Sequence, residues 1–502
     1  MVANRFHGSD VRGLDAVPHS IQREGRFGRL FRNLPPLRPE DADLEALARE
    51  MIEPEPSPAG DDPAGDNPEI SAGFTYVGQF IDHDLTFDPV STLERESDPN
   101  ALVDFRTPRF DLDSVYGDGP GDQPFLYDHD GLHLLIGHNA AGEEDLPRNA
   151  EGTALLGDPR NDENLIVSGL HLAFLKYHNH VVDDLSAVPK EFRFEEAGRL
   201  TRWHYQWAVV HDFLAKIVGR EVIDDILRHD GFRVPVHGRS QNVRTRRVAL
   251  KFFHWRNEPF MPVEFSVAAY RFGHSMVRGE YELNDNVQNV PIFAQDPEPD
   301  LRGFRERPAG HVIQWARFFA FPGSQVDLQP ARLIDMKLAF GLHILPEVVT
   351  ESEANPAVDA RIHALAERNL KRGKALGLPS GQAVARRMGL AEDLILHAGD
   401  LASAGDPVAT PLPKHLVEVF GQDTPLWFYI LKEAEVLNAG HHLGPVGGRI
   451  VAEVFLGLLH GDPFSYLGVQ PNWRPKGGMF GAPRDGEFAF ADLLRFAGVV
   501  IE

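Results

Sequence analysis

The heptapeptide Gly78-Gln79-Phe80-Ile81-Asp82-His83-Asp84 constrains this chain more than any other stretch. On a helix, Gln79, Asp82 and His83 stand at i, i+3 and i+4, so an amide, a carboxylate and an imidazole share one face. A core face would be apolar. A solvated face would not carry Phe80, Ile81 and Leu85 around the polar group. The helix must therefore be buried and still present polar chemistry to something. The plain alternative is a buried histidine held by a neighbouring aspartate.

Whole-chain numbers narrow the partners. Against 74 acidic residues stand 50 basic ones, a net charge of −24, and such a surface repels nucleic acid and anionic membranes. There is no cysteine, which excludes disulfides and thiolate metal sites. No apolar run approaches the roughly 18 residues of a membrane span. Residues 1–10 carry no apolar signal segment, so the expectation is a cytoplasmic protein, with export by a signal-free route as the alternative.

Most apolar segments have helical period. Residues 165–185 place Leu170, Ala173, Phe174, Tyr177 and Val181 on one stripe. Helices are also expected over 44–52, 203–218, 332–348, 358–371 and 450–460, and short strands over 132–136 and 247–253. The Pro- and Asp-rich residues 54–69 and the stretch 284–310 are expected as loops. The expected architecture is mainly α: an N-terminal arm over 1–73, then one large helical domain over 74–502 with few short strands and long loops.

Four further sites carry chemistry. Asp158-Pro-Arg160-Asn161-Asp162-Glu163 opens the helix from about residue 165 with Arg160 and Glu163 at i and i+3. An apolar helix is expected over 268–276, carrying His274 with Gly273 directly before it, so a bulky group can approach closely. Asn369-Leu-Lys-Arg372 precedes Gly377-Leu378-Pro379, a helix-end pattern. Thr107, Asp111 and Asp113 supply oxygen donors suited to a hard cation such as calcium.

Taken together and in this order, the five sites resemble the animal-type haem peroxidases of the peroxidase–cyclooxygenase superfamily, over about residues 74–467. The resemblance implies a mostly α-helical fold around a buried haem b. It implies reduction of hydrogen peroxide and oxidation of a small halide, pseudohalide or phenolic donor through a ferryl intermediate. His83 matches the distal histidine, Arg160 the distal arginine and Gln79 the distal glutamine. His274 matches the proximal iron ligand, and Asn369 the asparagine that accepts its Nδ1 hydrogen bond. Arg271 matches an arginine near a haem propionate. Asp82 and Glu163 match the carboxylates that form ester bonds to the haem. Asp84, Thr107, Arg109 through its carbonyl, Asp111 and Asp113 match the calcium ligands.

Two departures bear on the substrate. Asn164 stands where some members carry the methionine of a third haem link, which puts efficient chloride oxidation in doubt. Residues 373–377, Gly-Lys-Ala-Leu-Gly, also differ from the pattern after the proximal asparagine. The nearest rival is a fatty-acid dioxygenase of the same superfamily. Those enzymes place a radical-forming tyrosine three residues before the proximal histidine, where this chain has Arg271, and Tyr270 is one step too early. A non-catalytic calcium-binding scaffold is a second rival. A non-haem site built from His171, His178, His180, His441 and His442 is a third.

Overall fold

The apolar stripe of residues 165–185 forms the helix Leu165–Asp184, and all five stripe residues named above are buried. Its start is capped by Asn164, whose side chain accepts from the Ile166 amide at 2.8 Å. The computed structural model describes residues 25–55, 61–86, 103–104, 108–236, 239–294, 299–343, 345, 364–403 and 411–500. Helix takes 46% of the residues and strand 10%, which bears out the mainly α expectation.

Four long helices build the core: Leu165–Asp184, Lys190–Ala208, Leu426–Asn438 and Pro445–Gly461. The second continues through a π-turn at Val209–Phe213 into Leu214–Val218, so its apolar pattern is one rod with a bulge. Against this core lies the helix Gly73–Leu85, which carries the heptapeptide. Phe80 stacks on Phe174 with ring centroids 4.7 Å apart and meets Tyr205 edge-on at 6.3 Å. The helix start lies so close to its neighbours that a Cβ on Gly73 would come within 2.4 Å of the Phe319 ring and 2.6 Å of the Phe318 carbonyl. Glycine is needed there for close approach.

Strands are short except for one antiparallel hairpin, Leu227–Val236 with Arg239–Val248, paired from Leu227↔Val248 to Val236↔Arg239. It is longer than the few short strands expected. Gly25–Gly28 pairs with Val103–Asp104 and with Met261–Pro262. The helix Asp41–Glu50 is tied to the helix Leu365–Ala375 by Lys371–Glu45 at 2.9 Å and Lys374–Asp41 at 2.7 Å.

Three local expectations fail for one reason, which is that distant groups take the backbone amides. Among residues 332–343 the expected long helix does not form, and only the 3-10 turn Phe340–Leu342 is helical. The amides of Arg332, Leu333, Ile334 and Leu338 bond the carbonyls of Met276, Gly65, Gly440 and Met51, so no i→i−4 ladder forms. The stretch 54–69 is not all loop, because Asp66–Ser71 pairs with Pro330–Arg332. Asp66 is held there by Arg278 at 2.5 Å and Arg332 at 2.9 Å. The strand expected over 247–253 stops at Val248. The Glu453 carboxylate, 1% exposed, takes the amides of Lys251, Phe252 and Phe253.

Candidate active site

The helix Gly73–Leu85 is buried along most of its length, and its accessible positions are Gly78, Gln79 and Asp82. One stripe of a core helix thus faces open space. His83 sits at its edge, 4% exposed. Its Nδ1 lies 2.8 Å from Asn161 Oδ1, and its Nε2 lies 3.3 Å from Glu163 Oε1. Gln79 Nε2 donates to the same Glu163 oxygen at 2.5 Å. Burial pushes the Glu163 carboxyl up, but hydrogen bonds and charge from His83, the Arg160 charge and the Gln79 amide outweigh it and hold it below its ordinary value. It stays ionised at neutral pH.

Arg160 and Glu163 come from the short 3-10 turn Pro159–Asp162 and the residue after it. They do not pair as their spacing allows. Arg160 Nη2 instead bonds Asp158 at 2.8 Å, the His83 carbonyl at 3.0 Å and the Thr86 carbonyl. The guanidinium therefore clasps the C-terminal end of the distal helix, where the backbone carbonyls lack helical partners. Asp82 receives a 3.4 Å contact from Thr86 Oγ1, and its charge reaches Arg271 on the other wall.

The second wall is the 3-10 segment Ala269–His274, where a longer helix was expected. Arg271, Gly273 and His274 are its accessible residues, and Ala269, Tyr270 and Phe272 are buried. A Cβ on Gly273 would meet nothing within 4 Å, so the backbone there borders open space. Burial, reinforced by the Arg271 charge, pushes His274 down to about 3, which leaves a neutral imidazole, the state a metal ligand needs. Burial and the Arg372 charge bring Arg271 down to about 10, so it remains a cation at neutral pH. The Tyr270 hydroxyl donates to the Gly78 carbonyl at 3.0 Å and ties the two walls together.

Asn369, on the helix Leu365–Ala375, meets His274 as expected but with its amide reversed. Its Nδ2, not its Oδ1, lies 2.9 Å from His274 Nδ1, because Oδ1 accepts from Arg271 Nη1 at 2.6 Å. A half-turn of the amide exchanges the two atoms. Only the turned form accepts a proton from Nδ1 and leaves the Nε2 lone pair for iron.

The acidic group lies on the buried side of the distal helix. Carboxylate oxygens of Asp84, Asp111 and Asp113 all fall within 4.8 Å of one another. Leu112 between the last two takes φ +57°, a left-handed turn uncommon for a bulky residue. Burial, Asp113 and Asp462 push the Asp111 carboxyl up to about 8, and the Arg202 charge opposes them only in part. Arg109 Nε lies 4.0 Å from Asp462. Thr107 lies outside the described residues.

The histidines of the rival metal site do not converge. His171 meets Asn161, His178 meets Tyr116 and the Leu132 carbonyl, His180 the Phe496 carbonyl, His441 Glu69, and His442 the Leu443 carbonyl. Asn164 serves as a helix cap. Asn161 was missed as a site residue although it sits inside the Arg160 motif, and His171 was read only as part of the rival metal site. The signal for Asn161 was a polar residue in a short turn before a buried helix.

Two polar-edged walls, a neutral histidine on one and an imidazole–guanidinium–amide set on the other, fit a flat apolar ring carrying a metal. The animal haem peroxidase family model matches residues 94–473, and the chain belongs to that family. Family membership implies haem. The peroxidasin homolog pxn-2 of Caenorhabditis elegans is 24% identical over 331 residues, which are 62% of this chain and 21% of that protein. Peroxidase A of Dictyostelium discoideum superposes with a TM-score of 0.64 at 15% identity, over 96% of this chain and 94% of that one. Oryza sativa fatty acid alpha-dioxygenase gives 0.53 at 17% identity, over 86% and 75%. At such identities these structures show the fold alone. The chain spans between 14% and 41% of the length of the curated relatives it matches.

The geometry predicts that His274→Ala abolishes the native Soret spectrum of haem-loaded protein. An unchanged spectrum in that variant removes His274 as the iron ligand.

Proposed function

We propose that the chain is a peroxidase that reduces hydrogen peroxide and oxidises a small halide, pseudohalide or phenolic donor. The observation that carries this reading is the pairing of His274, Arg271 and Gly273 on one accessible wall with Gln79, Asp82, His83 and Glu163 on the other. Haem bound between them would supply an open metal position and would carry to the donor the two oxidising equivalents that peroxide delivers as it is reduced to water. The protein's part is proton handling and charge. His83 Nε2 takes a proton from one peroxide oxygen and returns it to the leaving oxygen. Arg160, fixed by Asp158 and two backbone carbonyls, keeps a positive charge beside the charge that develops there. Gln79 donates to the Glu163 oxygen that faces Nε2 at 3.3 Å and so fixes that carboxylate.

The dioxygenase reading has the structural likeness in its favour and the side chains against it. Arg271, at the position of that family's tyrosine, bonds Asn369 and the Ser266 carbonyl. Tyr270 spends its hydroxyl proton on Gly78 and stacks on Phe265 at 4.8 Å. The purified haem protein should oxidise bromide, iodide, thiocyanate, nitrite or phenols only when peroxide is added, and should take up no oxygen with a long-chain fatty acid. His83→Ala should slow the reaction with peroxide by ~10²–10⁴-fold while keeping haem. Oxygen uptake with fatty acid, or a wild-type rate in His83→Ala, would sink the reading.

Calcium is the second part of the proposal. Asp84, Asp111 and Asp113 form its carboxylate core, and by the resemblance Thr107 and the Arg109 carbonyl complete it. Because Asp84 follows His83 on the helix, the ion would anchor the distal base. Chelation should lower both the melting temperature and peroxidase activity, and active protein found free of calcium by metal analysis refutes the site.

The ester links form the third part. The two carboxylates, Asp82 and Glu163, border the opening, and esterification would remove their charges from an apolar ring edge. After brief exposure to peroxide, haem should stay with the polypeptide through denaturing extraction. Fully extractable haem would leave Glu163 with the hydrogen-bonding role it has beside His83 and Gln79.

A further inference from the structure

Neither Asn161, inside the Arg160 motif, nor His171 has a role in the resemblance, yet both are fully buried, and they form a line with His83. Asn161 Oδ1 is 2.8 Å from His83 Nδ1, and Asn161 Nδ2 is 3.0 Å from His171 Nδ1. Each of the two is 0% exposed. We infer that Asn161 and His171 are positioning residues that hold the proton of His83 on Nδ1, so that all proton traffic at the site passes through Nε2. The inference rests on the peroxidase reading for its consequence, though not for its geometry.

The argument is one of donors and acceptors. A primary amide offers an oxygen that only accepts and a nitrogen that only donates. Set between two imidazole Nδ1 atoms, it must receive a proton from one ring and give one to the other. In the observed orientation His83 gives and His171 receives. Burial, only partly opposed by the Asp158 charge, pushes His171 down to about 3 and keeps it neutral, and in the tautomer that carries its proton on Nε2 its Nδ1 accepts from the Asn161 amide. Its ring is also held in place, edge-on to Phe80 at 6.4 Å between centroids, on the helix that begins at Leu165. The device thus reaches from a rigid core helix through a short turn to the base.

The consequence concerns which nitrogen reacts. The two ring nitrogens of histidine are distinct, and the one that reacts is set by the hydrogen bond of the other. With Nδ1 keeping its proton, Nε2 is the atom that exchanges protons, and Nε2 is the one turned toward Glu163 at the opening. A proton moves from peroxide to Nε2 and from Nε2 to the leaving oxygen, while the proton on Nδ1 does not move. Without the relay the neutral ring could place its proton on Nε2, held by the Glu163 carboxylate, and the base would be lost.

The experiment uses the full chain loaded with haem and three variants. Asn161→Leu removes the bridge, His171→Leu removes the acceptor beyond it, and His171→Asn puts an amide oxygen near the place of Nδ1. The first readout is the ¹⁵N spectrum of histidine-labelled protein, with His83 assigned by its disappearance in His83→Gln. It should show a protonated Nδ1 in the wild type and in His171→Asn, and a mixture in both leucine variants. The second is the association rate of cyanide, whose binding needs a base to take its proton. That rate should fall roughly tenfold or more in the leucine variants and recover in His171→Asn, with melting temperatures recorded for all. An unprotonated Nδ1 in the wild type overturns the inference, as do wild-type cyanide rates in the leucine variants. So does a folded His171→Asn that stays as slow as His171→Leu, since that makes the role one of packing. The peroxidase reading fails separately, by absence of peroxide-dependent turnover in a wild-type protein whose His83 spectrum is as described.

Discussion

A space between two polar walls stays open only if the walls are joined somewhere and satisfied everywhere else. The joint here is the Tyr270 hydroxyl on the Gly78 carbonyl at 3.0 Å. Such a bond contributes only about 1 kcal/mol in net stability. Its effect is geometric, because it joins a buried tyrosine stacked on Phe265 to a helix packed on Phe174 and Tyr205. Neither partner can shift without disturbing close-packed rings. The satisfaction is equally local. Arg160 is held on its own wall by Asp158, and Arg271 on its own wall by Asn369. Asp82 and Arg271 feel one another's charge across the space, but both cations already have nearer partners.

The same helix explains how one heptapeptide serves three purposes. Successive residues on an α-helix are turned by about 100°. Asp82 therefore faces the opening, His83 faces Asn161 and Glu163, and Asp84 faces the carboxylates of Asp111 and Asp113. Three consecutive polar residues in a buried helix look wasteful until each is given its own environment. The carboxylates on the far side, the imidazole in the middle and the Asp82 carboxylate at the opening are then mechanically linked. A displacement of Asp84 is carried to His83 by the intervening backbone alone.

What the sequence could disclose followed from distance along the chain. The stripe of the Leu165–Asp184 helix, the polar face of Gln79, Asp82 and His83, and the glycine before His274 are local patterns, and they were legible. The partners were not. The plain expectation for His83 was a neighbouring aspartate, whereas its Nδ1 meets Asn161, 78 positions away. The helix expected over 332–348 has helical apolar spacing, but carbonyls from four remote segments take its amides. Glu453 ends a strand from 200 residues away. Arg160 was read against Glu163 at i+3 but bonds Asp158 at i−2, because the turn before the helix does not follow helical spacing. Periodicity reports which face is buried. It is silent on which remote group meets that face.

The two walls use one device in two settings. On each, an asparagine amide lies between an imidazole Nδ1 and a second group, His171 on one side and Arg271 on the other. The second group decides the orientation. His171, neutral and with its proton on Nε2, accepts, so Asn161 turns its oxygen to His83. Arg271, a cation with donors only, takes the oxygen of Asn369, so the nitrogen turns to His274. An iron ligand needs its proton on Nδ1 and therefore needs that oxygen for itself. As the proposed iron ligand, His274 would compete with Arg271 for a single acceptor, the Asn369 oxygen. The acceptor that satisfies Arg271 and the nitrogen that is free to bind a metal are set by the same half-turn of one side chain.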